Sequence, residues 1–462
     1  MLVLVLSACL PTAILAGCGD TAVVVHVSGD LVSPDAPDAI DAFCLAVHDD
    51  DPAGGAFGRV YLMSELAEAG AGSLTLTVTP GSASDGTASV RGYRGGIEVA
   101  RDHRAFAFSS GVDDLSLRLD RCPGGSSGAA EVAGAGPSAA GALPAVSFGR
   151  GGSVVVVVGP GFAAAYAVRG GQLVSVDDPL PAAPVDADAI VAFDADGDCD
   201  DDIAIAGAGG ITLWLRTGTS FVESDGAFAG ATPARALAAA DVDEDGDIDL
   251  VAGGGASLIV YRNDGTSDFD GGTGIAGLTD VTAVAAGNLD GDTHIDLIAG
   301  QGDTVGAPAR VLFNDASGAG TFILAPAALP ELALRVRDIA AADANADGFD
   351  DVLLAVEGGP VRAYVNRGDG RLEDRSFVLL PSQPDDALGL AAADWDADCL
   401  VDVVIGFAAA PAIAWSGSET GAFDDDTVPD TTAPSVELAD VDDDGDRDLI
   451  LVSGEEVTWV DR

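Results

Sequence analysis

The chain has 462 residues, 48% of them hydrophobic, with 75 Asp and Glu against 21 basic residues, all of them Arg, for a net charge of −54. That much apolar material can build a core and argues against global disorder, and the length leaves room for two or three domains. The acidic field argues against nucleic acid and anionic lipid surfaces as partners, because it repels phosphate.

Residues 1–17 carry no charge and end in Leu15-Ala16-Gly17-Cys18. The run is shorter than the roughly 20 apolar residues of a membrane-spanning helix, so it reads as a signal peptide. The tetrad resembles the bacterial lipobox, in which the leader is cut before a Cys that becomes diacylated. On that resemblance Cys18 is the lipidation site and 18–21 the lipidated N-terminus. The protein then sits in the bacterial envelope, at the outer membrane or cell surface, with membrane attachment through the lipid. No Lys or Arg precedes the apolar run, and Leu6-Ser7-Ala8-Cys9 is a second, weaker match. Polar residues follow Cys18 at once, whereas an anchor at Cys9 leaves an apolar tail exposed.

Residues 22–122 show short runs divided by turn residues: 23–27, 43–47, 73–78, 97–100, 105–108 and 115–119. Ser73-Leu-Thr-Leu-Thr-Val78 alternates strictly, as a half-buried strand does. The stretch reads as a small β-sandwich-like domain of about 100 residues. Cys44 and Cys122 bracket it and are expected to form a disulfide in an oxidising compartment. His26, His48 and His103 are scattered over this domain and form no cluster. Residues 123–143, rich in Gly, Ala, Ser and Pro, read as a flexible linker.

From 144 to 462 one pattern governs. Nine-residue segments with Asp or Asn at positions 1, 3, 5 and 9 begin at 194, 241, 288, 343, 394 and 440. The candidate donors are Asp194, Asp196, Asp198 and Asp202; Asp241, Asp243, Asp245 and Asp249; Asn288, Asp290, Asp292 and Asp296; Asp343, Asn345, Asp347 and Asp351; Asp394, Asp396, Asp398 and Asp402; Asp440, Asp442, Asp444 and Asp448. Such a ring of hard oxygens suits Ca²⁺. Position 12 lies inside an aliphatic run in every copy, so the bidentate Glu of an EF-hand is missing.

The flanks supply strands. Four positions before each nonapeptide stand Ile190, Leu237, Val284, Ile339, Leu390 and Val436, an apolar strand face. Afterwards come wholly apolar runs such as Ile203-Ala-Ile and Val403-Val-Ile, which implies burial on both faces. Each acidic loop is therefore a hairpin tip. Tyr261-Arg-Asn263, Phe313-Asn314 and Tyr364-Val-Asn366 run into further turn signals. Stepping back from Asp194 by one period lands on the run Ser153–Val158, the same buried strand without carboxylates. The expectation is an all-β chain: a seven-bladed β-propeller, one blade metal-free, preceded by the sandwich-like domain. The last blade has sequence for about three strands, so a fourth is expected from the segment before Ala145.

The repeats resemble the FG-GAP or VCBS-type calcium repeats of integrin α-chain propellers and many bacterial surface proteins, over residues 145–462. That resemblance implies up to six Ca²⁺ ions, held by the side chains at positions 1, 3, 5 and 9. It adds the backbone carbonyl at position 7, contributed by Asp200, Asp247, His294, Phe349, Leu400 and Asp446. Asn288 and Asn345 lower the charge of two loops, and Cys199, Thr293 and Cys399 replace the position-6 Gly found in the others. The Asp241 and Asp440 loops are expected to bind tightest. Cys199 and Cys399 stand nearly across the ring from one another and are not expected to pair.

A catalytic constellation does not emerge from the residue inventory. Arg235 and Arg337, six positions before their nonapeptides, could meet an anionic ligand in the channel, or pair with nearby carboxylates. The leading reading is a calcium-stabilised binding or adhesion module for a protein or glycan. A structural envelope scaffold comes second, and a polysaccharide-degrading enzyme third, since some propellers of this repeat family are lyases.

Overall fold

A computed structural model describes the strands within residues 22–118, the short strands Gly134–Ala135 and Leu143–Ser147, and most of residues 153–461. Cys9, Cys18, Cys122, Cys199 and Cys399 lie outside the described residues.

Residues 22–118 form two sheets. One has the order Leu74–Val78, Ala22–Ser28, Val112–Arg118, the last two parallel; the other has Ala56–Leu62, Ala42–Asp49, Asp85–Arg94, Ile97–Ala107. Where they are described, the alternating runs lie in strands, and those at 97–100 and 105–107 belong to one continuous strand, Ile97–Ala107; positions 73, 108 and 119 lie outside the described residues. Ala56–Leu62 and Asp85–Arg94 are strands that the sequence pattern did not single out. Glycines and charged residues interrupt their alternation.

From Leu143 onward the chain forms seven antiparallel sheets, arranged as a propeller. Their first strands are Leu143–Ser147, Ala187–Phe193, Ala236–Ala240, Val281–Gly287, Val336–Ala342, Ala387–Ala393 and Ser435–Ala439. Each packs on the next, and the seventh packs on the first, so these strands ring the axis. Seven strands converging on one axis leave little room for side chains, and the sequences there are correspondingly rich in alanine (ALAAA, VTAVAAG, ALGLAAA).

The second strands, for example Asp202–Gly207 and Asp402–Phe407, are buried along their whole length. Alternate side chains serve opposite neighbours. Ile203 and Ile205 join Val154, Val156 and Val158 of blade 1, whereas Ala204 and Ala206 join Leu237, Leu250 and Ala252 of blade 3. This is why the run is continuously apolar. Large third-strand residues then fill the wider part of each wedge: Trp214 opposite Ile203, Tyr261 opposite Leu250, Tyr364 opposite Val352 and Trp415 opposite Val403.

Ring closure differs from the expectation. Leu143–Ser147 is the first strand of blade 1, not a fourth strand of blade 7, and blade 7 has three strands among the described residues. Closure comes from side chains: Val146, Val155 and Val157 pack against Ala439, Val441, Ile450 and Val452. Val155, Val157 and Ile450 are fully buried there, and burial on this scale needs no exchanged strand to hold two sheets together. Part of the segment read as a linker also has a place in the ring. Gly134–Ala135 pairs with the first strand of blade 3 and lies beside those of blades 2, 4 and 5, hence on the axis.

Candidate metal centres

Every acidic nonapeptide connects the first strand of its blade to the second, so all six stand on one face of the ring. Position 9 is the first residue of the second strand in each: Asp202, Asp249, Asp296, Asp351, Asp402 and Asp448, all at most 2% exposed. Its two oxygens have separate duties. In blade 3, Oδ2 of Asp249 accepts the N–H of Val242 at 3.0 Å, closing the loop on itself, while Oδ1 accepts the N–H of Asn263 at 2.8 Å, tying the loop to the third strand. The same pair of bonds recurs at Asp202 (Ala195, Arg216), Asp296 (Leu289, Asn314) and Asp402 (Trp395, Gly417).

Burial raises the pKa of these carboxyls: Asp202 to about 9, Asp249 to about 8, and Asp296, Asp402 and Asp448 to about 7. The backbone bonds work against the rise, and the Asp at positions 1 or 3 adds to it by repulsion. A group this reluctant to ionise alone is stabilised as a carboxylate by a cation beside it.

Positions 1, 3 and 9 converge in four loops. Asp194, Asp196 and Asp202; Asp241, Asp243 and Asp249; Asp394, Asp396 and Asp402; and Asp440, Asp442 and Asp448 each bring three carboxylate oxygens within 4.8 Å of one another. Oδ1 of Asp196 and Oδ1 of Asp243 are buried and receive no hydrogen bond. Orphaned anionic oxygens aimed into such a cluster fit a hard cation, so these four clusters can hold metal.

Position 5 behaves differently where it is described. Oδ1 of Asp198, Asp245 and Asp292 accepts the N–H of position 7, from Asp200, Asp247 and His294, at 3.0, 3.1 and 2.9 Å. These bonds shape the turn; the convergence within 4.8 Å is that of positions 1, 3 and 9. Asp347, Asp398, Asp444 and Asp446 lie outside the described residues. In blades 4 and 5 an amide replaces one donor. Asn345 Nδ2 donates to Oδ2 of Asp351 at 2.9 Å, while Asn288 leaves its loop with Asp290 and Asp296. Phe349, at position 7 of blade 5, lays its ring against Gly368, whose φ of +67° and lack of a Cβ permit the contact.

One charge was not legible from the repeat. Arg262 places Nε 3.2 Å from Oδ2 of Asp243, Nη2 2.7 Å from the carbonyl of Gly320 in blade 4, and Nη1 3.7 Å from Asp270. The blade-3 cluster, expected to be among the tightest, therefore already has a guanidinium at its position-3 carboxylate. Arg235 and Arg337 lie near the other ends of their first strands, far from the acidic loops. Arg235 pairs with Asp280 at 3.4 Å, and Arg337 with Glu357, which also takes Arg335 at 2.7 Å. Of the two roles weighed for these arginines, the structure supplies carboxylate partners.

Residues 194–252 and 343–405 match the FG-GAP-like repeat family, each span starting at position 1 of a nonapeptide. The chain is a seven-bladed β-propeller that carries FG-GAP-like repeats. No curated relative matches the FG-GAP propeller in sequence. Among solved structures it is similar to an Agrocybe aegerita lectin studied for recognition of non-reducing terminal N-acetylglucosamine, at 19% identity over 62% of this chain and 79% of that one, with a TM-score of 0.45. It is similar also to the extracellular domain assigned to a one-component system of B. thetaiotaomicron, at 10% identity over 72% of this chain and 40% of that one, TM-score 0.45. A third is the computationally designed Ika8 protein, at 13% identity over 69% and 96%, TM-score 0.40.

Proposed function

We propose that this FG-GAP propeller is a calcium-stabilised display module, lipid-anchored at Cys18 outside the bacterial inner membrane, that binds a protein or glycan partner. The observation carrying the calcium reading is the convergence of three carboxylate oxygens within 4.8 Å in four separate hairpin tips, with buried oxygens of Asp196 and Asp243 lacking donors. Carboxylate-only donor sets favour Ca²⁺ over softer metals, and modules outside the cell meet enough calcium to fill sites of about 10⁻⁴ to 10⁻³ M affinity. A bound ion would add positive charge beside these carboxylates, with positions 1, 3 and 9 as the residues that would hold it.

The binding reading rests on the opposite face. There the second-to-third-strand connections vary from the two residues between Gly207 and Gly210 to the eight between Gln301 and Arg310. Loops that differ on a rigid ring are where specificity resides in such folds.

Melting the purified chain with chelator and with calcium chloride tests the first part: a rise in melting temperature with calcium is expected, and none overturns it. Arrays of glycans and of envelope proteins, probed with and without calcium, test the second. Calcium-dependent capture by one class supports the module. Turnover of a polyuronate in place of stable binding overturns it in favour of the enzyme.

A further inference from the structure

Asn314 and Asn366 end the third strands of blades 4 and 5, and Asn263 stands two residues past the end of the blade-3 strand Ser257–Tyr261; the three are 4%, 0% and 5% exposed. Each spends both side-chain N–H donors on carbonyls of two different acidic loops. Asn263 Nδ2 reaches Ile248, at position 8 of its own blade's loop, at 3.1 Å, and Ala195, at position 2 of the blade-2 loop, at 2.8 Å. Asn314 does the same for Ile295 at 3.2 Å and Val242 of blade 3 at 2.8 Å. Asn366 reaches Asp350 at 3.1 Å and Asn288 of blade 4 at 3.3 Å. The orientation of each amide follows from its neighbours, since only the NH₂ side can satisfy two carbonyls.

The backbone N–H of the same three residues holds Oδ1 of the position-9 Asp: Asp249, Asp296 and Asp351, each at 2.8 Å. A single residue thus grips the buried carboxylate of one cation loop and the backbone of the preceding one. Further bonds follow the same path. The N–H of Ser267 in blade 3 donates to Ala195 at 3.0 Å, and the N–H of Asn288 in blade 4 donates to Oδ2 of Asp350 in blade 5 at 2.8 Å. At blade 6 the equivalent residue is Gly417, whose N–H holds Asp402 at 2.8 Å but which has no side chain to reach back.

We propose that these asparagines are positioning residues that couple neighbouring acidic loops, so that the clusters of blades 2 and 3, joined by Asn263, take up calcium as a linked pair. This rests on the reading of the loops as calcium sites. A cation that draws positions 1, 3 and 9 together in blade 3 fixes Asp249, hence Asn263, hence the carbonyl of Ala195 at position 2 of the blade-2 loop. Blade 2 then has less freedom to lose when its own ion arrives, which is positive coupling through shared ordering.

Calorimetric titration of calcium chloride into the chelator-stripped chain tests it, with four proteins: wild type, Asp196→Asn, Asn263→Leu and the double variant. Asp196→Asn is expected to remove the blade-2 site and weaken the remaining binding by a factor of about 5 or more, the lower end of typical coupling. In the Asn263→Leu background the same change removes one site and leaves the others as they were. Equal effects of Asp196→Asn in both backgrounds overturn the coupling. Absence of any calcium heat in the wild type overturns the underlying calcium reading instead. Melting temperatures give the control for a merely structural asparagine. Asn263→Leu is expected to shrink the calcium-induced rise, and an equal drop with and without calcium overturns the proposal.

Discussion

The guanidinium of Arg262 stands with its Nε 3.2 Å from Oδ2 of Asp243, while the other oxygen of that carboxylate is buried without a donor. One position-3 ligand of the blade-3 loop is therefore shared between a resident cation and an incoming one. Replacing Arg262 by Gln removes the competitor and is expected to tighten calcium at the Asp241 loop roughly 2- to 5-fold, the value of about 0.5–1 kcal/mol for a partly exposed pair. Calorimetric titration of the variant against the wild type measures it; an unchanged or weaker isotherm contradicts the competition.

The Asp at position 9 supports the fold apart from any ion. Asp249→Ala leaves the N–H groups of Val242 and Asn263 without their buried acceptor. The expected loss is about 2–6 kcal/mol, from two unsatisfied donors at about 1–3 kcal/mol each. Asp245→Ala, which releases one exposed turn bond to Asp247, should cost under about 1 kcal/mol. Urea unfolding in chelator ranks the two.

Stability should fall with rising pH in the metal-free protein and be spared that fall when metal is bound. In the metal-free protein Asp202 titrates at about 9, Asp249 at about 8, and Asp296, Asp402 and Asp448 at about 7, all above the ordinary 3.8. The folded state binds their protons more tightly than the unfolded state. Their stabilising contribution is thus complete below the ordinary value and is lost as pH rises through 7 to 9. A bound cation keeps the same groups ionised and removes that loss. The gap between melting temperatures in calcium and in chelator should widen from pH 5 to pH 9, and a gap independent of pH contradicts the linkage.

Two aromatic residues make the packing argument quantitative. Trp214 is 1% exposed between blades 1 and 2, whereas Phe377 is fully exposed on the single helical turn Ser376–Leu379. Trp214→Ala should cost about 3–5 kcal/mol by opening a cavity in the wedge. Phe377→Ser should change stability by less than about 0.5 kcal/mol. Denaturant unfolding of both variants checks the contrast.

How far these sites could be foreseen depends on how local their causes are. Positions 1, 3 and 9 were legible because a hairpin tip brings its own first and last residues together whatever surrounds it. At position 5 the structure adds a turn role that the repeat pattern did not show: Oδ1 of Asp198 and of Asp245 accepts the N–H two residues on. Asn263, Asn314 and Asn366 read as turn residues, and their spacing from position 9 drifts with the length of the intervening turn. The one available signal was the recurrence of Asn at or just past the end of the third strand in three blades. Arg262 gave none, since its partners lie in another loop of blade 3 and in blade 4.

By itself the sequence determined the seven-fold ring of sheets and the six acidic hairpins, because both follow from a repeated alternation of apolar and polar residues acting over a few neighbours. Only the tertiary structure decided how the blades are joined: by Val146, Val155 and Val157 on Ala439, Val441, Ile450 and Val452 at the closure, and by asparagine amides from one acidic loop to the next. Those contacts pair residues tens to hundreds of positions apart, and their partners are chosen by the closing of the ring, which no stretch of sequence spells out alone.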